Sequence, residues 1–111
     1  MRISFGSVLV LVAALVAIPG AAQAGGPSFN CKYASKAAEY AICNSPTLSA
    51  LDLELAGLYN QTQIALPKWD ARAVKKEQRD WLLDRNACGG SYSCIVGAYR
   101  TRIQELRNWL G

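Results

Sequence analysis

The stretch Glu77-Gln-Arg-Asp-Trp-Leu-Leu-Asp-Arg-Asn-Ala-Cys88 decides the fold. Turned by about 100° per residue, Val74, Gln78, Trp81 and Arg85 fall on one stripe. A tryptophan at the centre of such a stripe is a core anchor. An arginine on the same stripe is unusual, because arginine is almost never buried without a partner. The stretch is therefore an amphipathic helix that ends at a cysteine and asks for a carboxylate from elsewhere in the chain.

Working outward, Pro67 marks where this third helix begins, between Pro67 and Asp70. Cys88-Gly89-Gly90-Ser91 ends it with glycines where a helix stops. A fourth helix follows from about Tyr92 to Leu110, with Ile95, Tyr99, Arg102, Leu106 and Leu110 on its stripe and Trp109 at the edge. Upstream, Ser45-Pro46 is an N-cap followed by a first-turn proline. It opens a second helix to about Leu66. Leu48, Leu51, Leu55, Tyr59, Thr62 and Leu66 line one side of it, Asp52 sits at the edge, and Leu53, Gly57 and Ile64 form a weaker opposite line. Ser35 to Cys43 is a short first helix with Ser35 as its N-cap. Gly25 to Asn30 is an extended lead-in. No stretch of this region alternates with period two. The expected fold is all-α: a small, disulfide-stapled antiparallel bundle of one short and three longer helices.

The first residues stand apart. Met1-Arg2 is followed by the apolar run Val8 to Ile18, the break Pro19-Gly20, and Ala22-Gln23-Ala24, an A-x-A cleavage signal. This predicts a signal peptide over residues 1–24 and one domain over 25–111. No cysteine follows the apolar run closely enough for lipidation, so a stable membrane anchor is not expected. Removing 24 of the 111 residues leaves 87. A chain that short buries only about 60–65% of its unfolded surface and is marginal without staples. Four cysteines and an export signal supply them and point to the periplasm or to secretion. Three pairings are possible. Cys31–Cys43 with Cys88–Cys94 is favoured, since each joins a loop cysteine to a nearby helix end.

Without Arg2 the chain keeps 11 basic and 8 acidic residues, a formal charge of +3. There is no histidine, which removes the commonest general base and metal ligand. The spacings C-x11-C and C-x5-C are not those of a metal or redox site. Glu39 and Asp52 can be read as an acid–base pair. The favoured reading is a structural ion network of Glu39, Asp52, Arg85 and Arg102, with the arginines gripping the carboxylates, Asp52 as the first partner of Arg85 and Glu39 as the second. Nucleophile, phosphate-loop and cofactor motifs are missing, so neither an enzyme nor a cofactor is expected. Lys68, Arg72, Lys75, Lys76 and Arg79 share one face of helix three. They are either a solvated face or a site for an anionic polymer or membrane surface. Trp69 beside them is a single aromatic, not a stacking platform, and no nucleic-acid partner is expected.

Several groups of residues resemble a known family. They are Pro27-Ser28-Phe29-Asn30-Cys31 with Glu39-x-x-Ile42-Cys43, and Leu48-x-x-Leu51-Asp52-x-x-Leu55-x-x-x-Tyr59. Gln78-Arg79-x-Trp81-Leu82-x-x-Arg85-x-x-Cys88 and Cys94-Ile95-x-x-x-Tyr99-x-x-Arg102-Ile103-x-x-Leu106 complete the set. Together they resemble the lysozyme inhibitor LprI-like domain across essentially all of the chain after residue 24. The resemblance implies an exported, disulfide-bonded helical domain and, from the lipoprotein that gives the family its name, inhibition of lysozyme by occlusion. Two departures stand out. Lys36 replaces the Thr or Ser often found in the family as the cap of helix one, and the lipid-anchoring cysteine is missing. The motif residues are fold residues and do not locate an inhibitory surface. For that the sequence offers the clamped turn with Gly90, Ser91, Tyr92 and Ser93, whose hydroxyls suit catalytic carboxylates. A net positive charge works against steering toward the many lysozymes that are themselves basic.

Overall fold

The computed structural model describes residues 26–111; the signal peptide expected over 1–24 lies outside them. Four α-helices follow one another: α1 (Ala37–Cys43), α2 (Pro46–Ala65), α3 (Lys68–Ala87) and α4 (Tyr92–Leu110). No strand occurs among the described residues. The chain is an all-α bundle of one short and three longer helices, and its local chemistry explains each boundary. Ser45 Oγ accepts from the Leu48 N–H at 3.1 Å, and Pro46 takes the first helical position of α2. Pro67 separates α2 from α3, which starts without a side-chain cap. Gly89, in the left-handed region at φ 60°, lets the chain leave α3. Ser91 caps α4, its hydroxyl accepting from the Cys94 N–H at 3.4 Å.

One local expectation needs correction. The N-cap of α1 is Lys36, not Ser35. Lysine has no acceptor to offer the helix, so the cap is one-sided. Glu39 Oε1 accepts from the N–H groups of Ser35 at 2.8 Å and Lys36 at 2.9 Å. The lead-in ends with Asn30 in an extended conformation. Asn30 accepts from the Lys32 N–H at 2.9 Å and starts a single 3-10 turn, Cys31–Tyr33.

The core is built from one stripe of each helix. Ala38 and Ile42 come from α1, Leu48 and Leu55 from α2, Val74 and Trp81 from α3, and Ile95, Tyr99, Ile103 and Leu106 from α4. Helix α4 packs most extensively on α2, while α1 lies against α2 and α3. Trp81 meets Tyr99 edge to face at 5.0 Å, and its indole N–H donates to the Ala98 carbonyl at 3.0 Å. A buried tryptophan satisfied in this way fixes α3 against α4. Leu53, Gly57 and Ile64, the weak second line of α2, are exposed.

Cys31 is bonded to Cys43, and Cys88 to Cys94. The first bond ties the lead-in to the end of α1, and the second closes the α3–α4 turn. The sequence separations are 12 and 6. In the loop-entropy picture the bonds contribute about 3 and about 2 kcal/mol respectively. Replacing Cys31 and Cys43 together by serine should therefore cost more stability in denaturant unfolding than replacing Cys88 and Cys94. The reverse order would mean that the turn, not the lead-in, holds the domain together.

Candidate functional site

The polar residues on the apolar stripes form two separate buried clusters, not one network. In the first, Arg85 is only 4% exposed. Its guanidinium lies 5.8 Å from the centre of the Trp81 ring and 5.9 Å from that of Phe29. Nη1 donates to the Tyr99 hydroxyl at 3.2 Å, and Nε and Nη2 donate to Asn86 Oδ1 at 3.2 and 2.8 Å. The Tyr99 hydroxyl donates in turn to Asp52 Oδ1 at 2.7 Å. The direct Arg85–Asp52 pair expected from the stripes is not formed, because Tyr99 stands between them. Glu39 is the carboxylate in ion-pair range of Arg85, at 3.9 Å. The other oxygen of Asp52 accepts from the N–H of Ser28 at 2.6 Å and from its hydroxyl at 2.5 Å. The lead-in is thus strapped over the cluster, with Phe29 as a lid on the guanidinium. A cleft of about 400 Å³ remains beside it, lined by Phe29, Glu39, Tyr59, Gln78 and Arg85 among others.

Arg102 heads the second cluster and is 1% exposed. Nε donates to Gln78 at 2.8 Å and Nη2 to the Val74 carbonyl at 3.3 Å. Nη1 reaches Glu77 at 3.2 Å and Glu105 at 3.0 Å. Every nitrogen of the group is therefore engaged. Neither Glu39 nor Asp52 takes part. Glu77 also accepts from the indole N–H of Trp109 at 3.1 Å, which anchors the far end of α4 on α3.

Between α3 and α4, over the second cluster, runs an open groove of about 910 Å³. Its floor is Trp81, Ala98 and Arg102, with the Cys88–Cys94 disulfide at one end and Trp109 at the other. Glu77, Asp80 and Asp84 line it from α3, and Glu105 from α4. Arg102 is the one cation in this lining and is already shared by two of the acids. Lys76, just outside, pairs with Asp80 at 3.1 Å. Asp84 is in no ion pair among the described residues. Small residues keep the α4 wall low. A methyl group built at Gly97 meets nothing within 4 Å, so packing does not require glycine there.

The acids of the groove went unnoticed in the sequence, although the signal was present. The spacing of Glu77, Asp80 and Asp84 puts all three on the flank of α3 that faces α4. The basic residues Lys68, Arg72, Lys75, Lys76 and Arg79 are all exposed and share the outer side of the same helix. The net charge of +3 therefore conceals a segregation by face. Gly90, Ser91, Tyr92 and Ser93 are exposed too, at the disulfide end of the groove. The Ser91 hydroxyl caps α4, which fixes its position. No group of metal-ligating side chains occurs among the described residues. Compared with protein-family models, curated proteins and solved structures, the chain finds no match.

Among the described residues two ionisations are shifted. Burial, together with the hydrogen bond to Asp52, pushes the Tyr99 hydroxyl well above its ordinary 10.0. The backbone N–H groups of Ser35 and Lys36 hold Glu39 below its ordinary value, and Arg85 adds to the effect. For Glu39 the associated stability is present above the ordinary carboxyl range and is lost as the pH falls through the lowered value. For Tyr99 it is complete below about 10 and is lost above, because the unfolded chain releases that proton first.

At neutral pH, Tyr99→Phe should cost about 2 kcal/mol, since it leaves Asp52 and Arg85 each short of a buried partner. Measured by denaturant unfolding, its deficit against the unmodified chain should shrink above pH 10, by up to about 1.4 kcal/mol per pH unit. A constant deficit would mean that Tyr99 ionises normally. Arg85→Ala should cost about 3 kcal/mol or more, against less than about 0.5 kcal/mol for the exposed Arg79→Ala. Equal small losses would show that the Arg85 guanidinium is solvated.

Proposed function

We propose that this chain is an exported, non-catalytic protein-binding domain that inhibits a lysozyme-type cell-wall hydrolase by occlusion. The acidic groove carries the reading. Glu77, Asp80, Asp84 and Glu105 give a chain of net positive charge one anionic face. That face suits a basic enzyme and answers the unfavourable steering expected from net charge alone. The turn Gly89 to Ser93 is held by the Cys88–Cys94 bond, which lies at one end of the same groove. A rigid, disulfide-clamped projection loses little conformational entropy when it enters a cleft. Its exposed Tyr92 and its serine hydroxyls are suited to an apolar contact and to hydrogen bonds with carboxylates.

The rest of the chain is in keeping with such a role. Two disulfides fit an oxidising compartment. No helix among the described residues is long and apolar enough to cross a membrane. Export rests on the signal peptide read from residues 1–24, and membership of the LprI-like family rests on the motif spacing. The chain lacks histidine and free thiols, so no residue stands out as a general base or activated nucleophile.

The test is lysis of bacterial cell walls by lysozymes of several types, with and without a molar excess of the domain. Slower lysis is expected. Asp80→Lys with Asp84→Lys should weaken the effect at least tenfold while leaving the fold intact, since both residues are exposed. Unchanged lysis with every lysozyme tried would dismiss the reading. Inhibition indifferent to the two substitutions would move the contact away from the groove.

A further inference from the structure

The outer face of α3, which turns away from the core and lies beside the groove flank, is unused by the reading above. We propose that it is a docking surface for an anionic phospholipid bilayer. Lys68, Arg72, Lys75 and Arg79 recur at spacings of four, three and four, so they form one continuous stripe about 16 Å long. Among the described residues no carboxylate pairs with any of these four. Arg85 and Arg102 are consumed inside the bundle, whereas these charges are free for an external partner.

Apolar side chains on the same side decide what kind of partner. Trp69 is 76% exposed and carries the Arg72 guanidinium 5.3 Å from its ring centre. Leu83 is 70% exposed on the outer side of α3. A soluble polyanion has no use for a projecting tryptophan and leucine. A bilayer does, because indole rings settle at headgroup depth and aliphatic side chains enter the acyl boundary. Basic residues beside them gain from the negative potential of anionic headgroups. Cations interleaved with an exposed tryptophan and leucine thus match a lipid surface in both charge and polarity. Docking in this way is peripheral.

The experiment uses the chain from Gly25 onward. All core residues and both disulfides lie within 26–111, and the apolar run Val8 to Ile18 would enter lipid by itself. Co-sedimentation is measured with vesicles of phosphatidylcholine alone and of phosphatidylcholine mixed in equal parts with phosphatidylglycerol, at low and high salt. Binding is expected to the mixed vesicles only, and to fall as salt rises. Arg72→Glu, Lys75→Glu and Arg79→Glu together should lower the partition coefficient at least about a hundredfold. Lysine at positions 72 and 79 should preserve it. Tryptophan emission should shift to the blue on the mixed vesicles and fail to shift in Trp69→Phe. The proposal is overturned by equal binding to both vesicle types, or by no binding. It is also overturned by capture on soluble polyphosphate without vesicle binding, or by an emission shift that survives Trp69→Phe. Lysozyme inhibition by the charge-reversed variant is read separately, so the two surfaces fail or stand independently.

Discussion

The bundle depends on what is done with the Arg85 guanidinium. A charged group so deeply buried would be costly without partners. Its partners come from three places in the chain: Asn86 beside it on α3, Tyr99 on α4 and Glu39 on α1. Tyr99 passes the polarity on to Asp52 of α2, and Asp52 takes Ser28 of the lead-in. One cation therefore fixes the relative placement of all four helices and of the segment before them. Replacing such a chain by apolar residues is often neutral for stability, but removing one member is costly.

The two disulfides and the two arginine clusters divide the labour. Cys31–Cys43 holds the lead-in where Ser28 can reach Asp52 and Phe29 can cover Arg85. Cys88–Cys94 holds the turn, while the Arg102 cluster and the Trp109–Glu77 bond hold the opposite end of the α3–α4 pair. The α3–α4 pair is thus pinned at the turn and again where the end of α4 meets the middle of α3, on either side of the groove floor. A groove between helices tied at two places is largely preformed, and less ordering is needed when something enters such a surface.

Much of this was legible in the sequence, for physical reasons that also explain the failures. Helix positions follow from local signals such as Ser45-Pro46, Pro67 and Gly89, which act within a turn of where they stand. The burial of Arg85 and Arg102 follows from their place on apolar stripes. Their partners do not follow from stripes alone. Asp52 was assigned to Arg85 because their helices face each other, but the Tyr99 hydroxyl, long enough to reach both, took the space between. Ser28 was invisible as a partner because nothing periodic places a lead-in over a helix pair. Glu105 could have been found, since it lies three residues after Arg102 on the same helix. The acidic flank of α3 is hidden in the sequence because its acids alternate along the chain with the basic residues of the neighbouring face.

That interleaving matters more than the net charge. Helix α3 carries its apolar stripe toward the core, its acids toward α4 and its bases outward. The screening length at physiological salt is about 8 Å, comparable with the width of a helix, so each face acts largely as its own field. A partner approaching the groove meets carboxylates, and one approaching the outer side meets ammonium and guanidinium groups. Gly97 bears on the same point. Glycine in the middle of a helix costs about 0.5–1 kcal/mol against alanine, and an added methyl group there would meet nothing. The helix would be more stable with alanine, yet the wall of the groove is kept at its lowest at that position. The same test at Gly57, on the exposed side of α2, finds no groove to preserve, and nothing in the structure explains that glycine.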